Sequence, residues 1–144
     1  MEKARKGSAR LRRERELAAH GHRLTTSRRA VLEALERAES PLTIEEIWES
    51  VPDVGRATVF RTVKLLLELG LICRVVLENG SIRYVPATPE HHHHFICNRC
   101  GTVEEFQEPA VDEAIRELAV RAGFRLSGHT LELFGVCSRC EARP

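Results

Sequence analysis

From Leu24 to Ala38 the apolar residues Ala30, Val31, Ala34, Leu35 and Ala38 fall three and four apart, the spacing of one helical face. The charged stretch before it, Ala9–His20, also reads as helix, and residues 1–9 are expected to be disordered. Ser40-Pro41 ends the second helix. Thr43-Ile44-Glu45-Glu46 has the form of a capping box, in which Thr43 caps a short helix running to about Ser50 and Glu46 reaches back. Pro52–Gly55 is a turn, Arg56–Leu69 a further helix, and Gly70 its stop. On that helix Val59, Val63, Leu66 and Leu67 face inward, while Thr58, Arg61 and Lys64 face elsewhere. The period then falls to two. Leu71–Leu77 and Ser81–Val85 read as strands joined through Asn79-Gly80, a hairpin signal in which both residues are expected at positive φ.

Three helices followed by a hairpin is the order of a winged helix-turn-helix, placed at residues 10–85, with PDVGRATVFRTVKLL as its recognition unit. The two prolines of VPATPE mark a hinge, placed at 86–90. In residues 91–144 strands are expected at His92–Ile96, Thr102–Phe106 and Phe124–Phe134, and a helix at Pro109–Ala122 with proline at its first position. The fold class is α+β: a winged-helix domain followed by a small α/β domain.

Composition narrows the class. Hydrophobic residues make up 42% of the 144, enough for a core, and aromatics only 5%, so the core is aliphatic. No apolar run approaches the ~18 residues of a membrane span, and no apolar stretch follows the charged N-terminus as a secretion signal would, so a cytoplasmic protein is expected. The net charge of +1 is uneven: residues 1–86 carry 16 Lys/Arg against 12 Asp/Glu, and residues 87–144 carry 6 against 9. A basic N-terminal half suggests a polyanionic partner. Arg28, Arg56, Thr58, Arg61 and Lys64 are the candidate DNA-facing side chains, and His20 and His22 accompany the basic arm.

The densest chemistry is EHHHHFICNRCG, residues 90–101. The run is internal and has no linker, unlike an expression tag. Cys97-x-x-Cys100 and Cys137-x-x-Cys140 supply four thiolates, which in a reducing compartment read as a closed structural zinc site rather than disulfides. Alternation along a strand sends His91 and His93 to one face and His92 and His94 to the other, so two ions are better served than one. His129 and a carboxylate, Asp112 or Glu113, can complete the first set; Glu105 and Cys73 are available to the second. Imidazole with carboxylate suits zinc, manganese, iron or nickel, and a thiolate shifts the preference toward zinc. A catalytic zinc needs an open position and a nearby general base. Only Glu105 hints at one, so an enzyme is not expected.

The stretches GHRLTTSRRAVLEAL, GRATVFRTVKLLLELGL, HHHHFICNRCG, VEEF and SGHTLELFGVCSRC make the chain, from about Leu17 to Cys140, resemble the ferric uptake regulator family of bacterial metal-dependent repressors. The resemblance implies a C-terminal dimerisation domain, a homodimer, and binding of double-stranded DNA at an AT-rich inverted repeat, with neither a membrane nor a small-molecule substrate as partner. It also implies structural zinc at Cys97, Cys100, Cys137 and Cys140, and a sensory co-repressor metal at His92, His94 and Glu105; Cys73 joins that set as a candidate thiolate on its residue type alone, the alternative being a small apolar core residue. An additional site would use His91, His93, Asp112 and His129, which favours Asp112 over Glu113. The chain departs from the iron- and peroxide-sensing pattern at Pro41, where a histidine is usual, and at Val85, where an acidic residue is usual. It departs from the zinc-sensing branch at Cys73, which stands for an Asp, and at Pro86 or Ala87, where that branch has a Cys. His93 follows the zinc branch. Phe60 replaces the recognition-helix tyrosine, keeping a thymine-methyl contact and losing a hydroxyl, and Arg61 is retained. Zinc is the first choice of sensed metal. The alternatives are an iron- or manganese-sensing relative, a zinc-stapled DNA-binding protein without sensing, and a metal-buffering protein.

Overall fold

The computed structural model describes residues 2–88 and 90–143, with side chains from residue 11 onward. The chain divides into two compact units, Met1–Pro89 and Glu90–Pro144.

The first unit comprises α1 (Glu2–Ala19), α2 (Thr26–Arg37), α3 (Ile44–Glu49), α4 (Arg56–Glu68), β1 (Ile72–Val76) and β2 (Ile82–Pro86). Thr25 caps α2 through the Arg28 N–H. The capping box of α3 forms in both directions: Glu46 N–H donates to Thr43 Oγ1 (3.2 Å) and Thr43 N–H to Glu46 Oε2 (2.7 Å). These contacts satisfy backbone donors that a helix start leaves unpaired. The apolar faces of the helices meet in an aliphatic core of Val31, Leu35, Ile47, Val59, Val63 and Leu66, closed by Leu17 and Ile72. Leu67 only packs against its edge. β1 and β2 pair antiparallel, from Ile72 opposite Pro86 to Val76 opposite Ile82. Leu42 adds a bridge to Tyr84, and Arg83 donates to Pro41 O (3.0 Å) and Glu46 Oε2 (3.1 Å), tying the hairpin to the start of α3. Helices α2–α4 followed by this wing form a winged helix-turn-helix.

Two expectations change here. Helix α1 runs back to Glu2 through residues expected to be disordered, and most of Glu2–Lys6 are good helix formers; Met1 lies outside the described residues. At the hairpin tip Gly80 alone has positive φ (+82°) and Asn79 does not. Gly80 N–H donates to Leu77 O and Leu77 N–H to Ser81 O, a three-residue loop closed by a left-handed glycine, so Asn79 need not leave the right-handed region. Of the residues assigned to the hinge, Pro86 ends β2, and Ala87 is buried with its N–H donating to Leu71 O (3.1 Å); Pro89 lies outside the described residues.

The second unit comprises β3 (His93–Cys97), β4 (Val103–Phe106), α5 (Pro109–Arg121), β5 (Glu132–Gly135) and α6 (Ser138–Glu141). Its sheet has the order β4-β3-β5, antiparallel between β3 and β4 and parallel between β3 and β5. The strand expected over Phe124–Phe134 is confined to β5. Residues 124–130 carry an imperfect alternation and lack a neighbouring strand among the described residues, while Leu131 O accepts only the His94 N–H of β3 (3.2 Å); pairing is what stabilises a strand. Among the described residues no helix is long and apolar enough to cross a membrane.

Leu66 is fully buried. Leu66→Ala is expected to cost about 2–5 kcal/mol, and Thr43→Ala about 1 kcal/mol. Both would appear as lower urea midpoints in the fluorescence of Trp48, the chain's single tryptophan, which belongs to this unit.

Candidate metal centres and nucleic-acid face

The pairing of β3 sets the geometry of the second unit's chemistry. Cys97 ends β3 opposite Gly135 of β5, and Cys137 follows two residues later as the N-cap of α6. The turn from β3 to β4 carries Cys100, and Cys140 lies on α6. Four sulfurs therefore meet at one end of the sheet, each within 4.8 Å of the others. Cys100 Sγ and Cys137 Sγ are 3.7 Å apart. Thiolates bound at ~2.3 Å to a tetrahedral ion stand ~3.8 Å apart, so the residues fit such an ion. Cys137 N–H donates to Cys97 Sγ (3.3 Å); with help from the Cys100 backbone it brings the Cys97 thiol down to about 6. The hydroxyl and backbone of Thr102 lower Cys100. Hydrogen bonds to the sulfurs of Cys100 and Cys137, with some help from burial, hold the Cys140 thiol protonated and push it up to about 12.

At the other end the histidines separate by face. His93 is buried, and its Nε2 lies 2.8 Å from Asp112 Oδ1 on α5. His129 and His91 place Nε2 3.2 and 3.3 Å from the same oxygen and 3.1 Å from each other. Nitrogen and oxygen ligands at ~2.0–2.1 Å from a tetrahedral ion stand ~3.3 Å apart. The His93 hydrogen bond, against some opposing burial, holds the Asp112 carboxyl below its ordinary range, so it is an anion ready for a cation. Glu113 is not part of this set; its carboxylate lies 4.0 Å from Arg116.

On the opposite face His92 and His94 stand edge to face at 5.0 Å, and His94 pairs across the sheet with Glu105. Glu105 Oε1 lies 3.7 Å from His92 Nε2. Burial, reinforced by His92, keeps His94 neutral to lower pH than usual despite the opposing pull of Glu105. Its buried Nε2 has no hydrogen-bond partner among the described residues. A neutral imidazole with an unsatisfied buried nitrogen is a donor suited to a cation. Cys73 lies on β1 of the first unit, opposite Val85 of β2, and is half-buried.

In the first unit α4 presents Arg56, Phe60, Arg61 and Lys64 on its exposed face. The Arg56 guanidinium stacks between Trp48 (5.7 Å) and Phe60 (5.4 Å) and donates to Glu45 (3.3 Å). Arg61 donates to Thr58 Oγ1 (3.2 Å). Arg28, Arg61 and Thr58 line one open cleft together with His22, Thr25 and Ser27. The last three are not among the candidates read from the sequence, and only the basic arm around His22 hinted at them. His20 instead turns to its own helix, with Nδ1 2.9 Å from Glu16 O.

A winged helix joined to a unit built around clustered metal donors defines a class of metal-binding regulator. Residues 19–134 match the Ferric uptake regulator family, and the chain belongs to that family. It is 35% identical to the ferric uptake regulation protein of Campylobacter jejuni over 126 residues, covering 83% of this chain and 80% of that one. It resembles a zinc uptake regulator solved with zinc and DNA (TM-score 0.76, 28% identity, 92% of each chain). It also resembles the Helicobacter pylori ferric uptake regulator, described as having three functional metal-binding sites (TM-score 0.68, 26% identity, 94% and 93% of the two chains).

Removing one thiolate breaks the four-sulfur set. Cys140→Ser is expected to lower bound metal by one ion per chain, read by elemental analysis, and to loosen the second unit; unchanged metal content would refute that role. Metal uptake by these thiols must also release protons, so apparent affinity is expected to rise with pH across the neutral range in chelator competition.

Proposed function

We propose that the protein is a metal-responsive transcriptional repressor that binds an AT-rich inverted repeat as a homodimer in the cytoplasm, with zinc as the sensed metal. The observation that carries the reading is the division of donors along β3 into a closed four-thiol set and separate imidazole–carboxylate sets. Cys97, Cys100, Cys137 and Cys140 hold structural zinc, since four thiolates leave no open position for catalysis. His92, His94, Glu105 and Cys73 are the sensory ligands, and His91, His93, Asp112 and His129 are an additional set. The position of Cys73 in the sequence, more than any geometry, argues for its part. A bound divalent cation supplies a multidentate crosslink among these donors, and it shifts the population only as far as it binds the DNA-competent form better than the other.

Arg28, Arg56, Thr58, Phe60, Arg61 and Lys64 serve as the DNA face. Arg61 reads a base edge, Phe60 meets a thymine methyl, and the remaining side chains position the backbone. A dimer is supported by α5, which buries none of its residues within the chain, and by the exposure of Leu118, Val120, Phe124 and Leu126. Such apolar surface calls for a partner, and an isologous dimer matches an inverted repeat. Phe124→Glu is expected to shift the protein from dimer to monomer in light scattering.

A second reading, iron or manganese sensing, is favoured by the likeness to a protein named for ferric uptake and by a nitrogen–oxygen set at His92, His94 and Glu105. Pro41 and Val85, which offer no ligating side chain, weigh against it. Fluorescence anisotropy on an AT-rich palindromic duplex under buffered free zinc, manganese or ferrous iron separates the readings. Activation at trace zinc, with manganese or iron needed at far higher levels, is the expected result. Activation by physiological iron or manganese assigns the second reading. Binding that ignores every metal, or that depends only on salt and not on sequence, overturns sensing. Arg61→Ala is expected to cost about 1–3 kcal/mol in the metal-loaded complex and to relax specificity at one position.

A further inference from the structure

Each Cys-x-x-Cys turn carries an arginine immediately before its second cysteine: Arg99 in CNRC and Arg139 in CSRC. The two cross over. From the first turn, Arg99 donates to Cys140 O (2.9 Å), which also accepts the Arg143 N–H (3.3 Å), and to Arg143 O (3.5 Å), just beyond the end of α6. From the second turn, Arg139 donates to Thr102 Oγ1 (3.1 Å), and that oxygen lies 3.1 Å from Cys100 Sγ. A hydroxyl has one proton and two lone pairs. With Arg139 on a lone pair, the Thr102 proton is free to point at the Cys100 sulfur.

We propose that Arg99 and Arg139 form a reciprocal clasp across the two cysteine turns, and that Arg99, Arg139 and Thr102 are positioning residues that set how slowly the four-cysteine site gives up its metal. The inference rests on the reading of those cysteines as a metal site. The physical case has two parts. Four thiolates around a divalent ion carry a net charge of −2, and two guanidiniums beside them offset it. The crossed hydrogen bonds also join two turns that are far apart in sequence, so one turn cannot swing away from the metal without breaking bonds to the other. Outer-shell partners of this kind change metal affinity by about 10–100-fold when removed.

The test is metal release from the full-length zinc-loaded protein into an excess of chromogenic chelator. The four-cysteine phase is identified as the one that Cys140→Ser abolishes. Arg99→Met, Arg139→Met and Thr102→Val are each expected to speed that phase about tenfold and the double arginine variant about a hundredfold, with far-UV circular dichroism unchanged. Arg139→Lys, which keeps the charge and one donor to Thr102, is expected to recover most of the native rate, a rescue that a bulk packing role would not give. Rates within twofold of native in all three single variants would overturn the clasp. If the double variant does not retain metal through purification, the single variants decide. If native protein lacks a phase sensitive to Cys140→Ser, the metal site itself is refuted and the clasp with it.

Discussion

The parallel pairing of β3 with β5 is the constraint from which the second unit's chemistry follows. Parallel neighbours cannot be joined by a tight turn, so the chain must make a crossover, and α5 lies on that crossover. The register that sets Cys97 opposite Gly135 delivers the second cysteine turn to the end of β3. The same crossover brings Asp112 of α5 and His129, just ahead of β5, to His91 and His93. Strand alternation does the remainder: a two-residue period sends His92 and His94 to the opposite face, near Glu105. A one-residue slip in β3 would exchange the two histidine faces and displace Cys97 from its sulfur partners.

The two units rest on different sources of stability. The first has a continuous aliphatic core, including Val31, Ile47, Val59, Val63 and Leu66, with capped helices and a wing tied to α3. In the second, Ile96 and Cys97 are the only buried hydrophobic residues among those described, and the buried polar ones are His93 and His94. So small a core does not offset the conformational entropy of ordering such a chain, and small domains in that position commonly depend on metal or oligomerisation. On the function proposed above, the donor clusters and the exposed apolar surface of α5 and residues 124–126 are where this unit would find its missing stability. On that reading, metal and partner chain are part of its fold as well as of its function.

Local signals were legible because they are local. The helical spacing of Val59, Val63 and Leu66, the Thr43–Glu46 capping box, and the split of the histidines by face depend on residues a few positions apart, and the structure has all three. The readings that failed depended on partners elsewhere. Residues 124–130 alternate imperfectly yet are not strand, because a strand needs a neighbour to pair with. Asn79-Gly80 suggested two positive φ angles, whereas the loop takes a third residue and needs one. The crossing of Arg99 and Arg139 was present in the repeated Cys-x-Arg-Cys pattern, but its meaning depends on the two turns facing each other.

Retention and response ask opposite things of a metal site, and the donor chemistry divides along that line. A site that must never empty needs ligands that bind tightly and leave no position open; four thiolates held by backbone N–H groups and a threonine hydroxyl meet that need. A site that reports on metal supply must empty when supply falls. Imidazoles and a carboxylate suit that task, being weaker donors to a soft ion, and the buried Nε2 of His94 has no competing hydrogen bond among the described residues. Were all the sets equally tight, the protein would be permanently loaded and could carry no information. Were all equally weak, the second unit would lose the crosslink on which its thin core depends. On the function proposed above, keeping the thiolates on one end of β3 and the imidazoles on the other would let one strand serve a permanent ion and an exchangeable one at once.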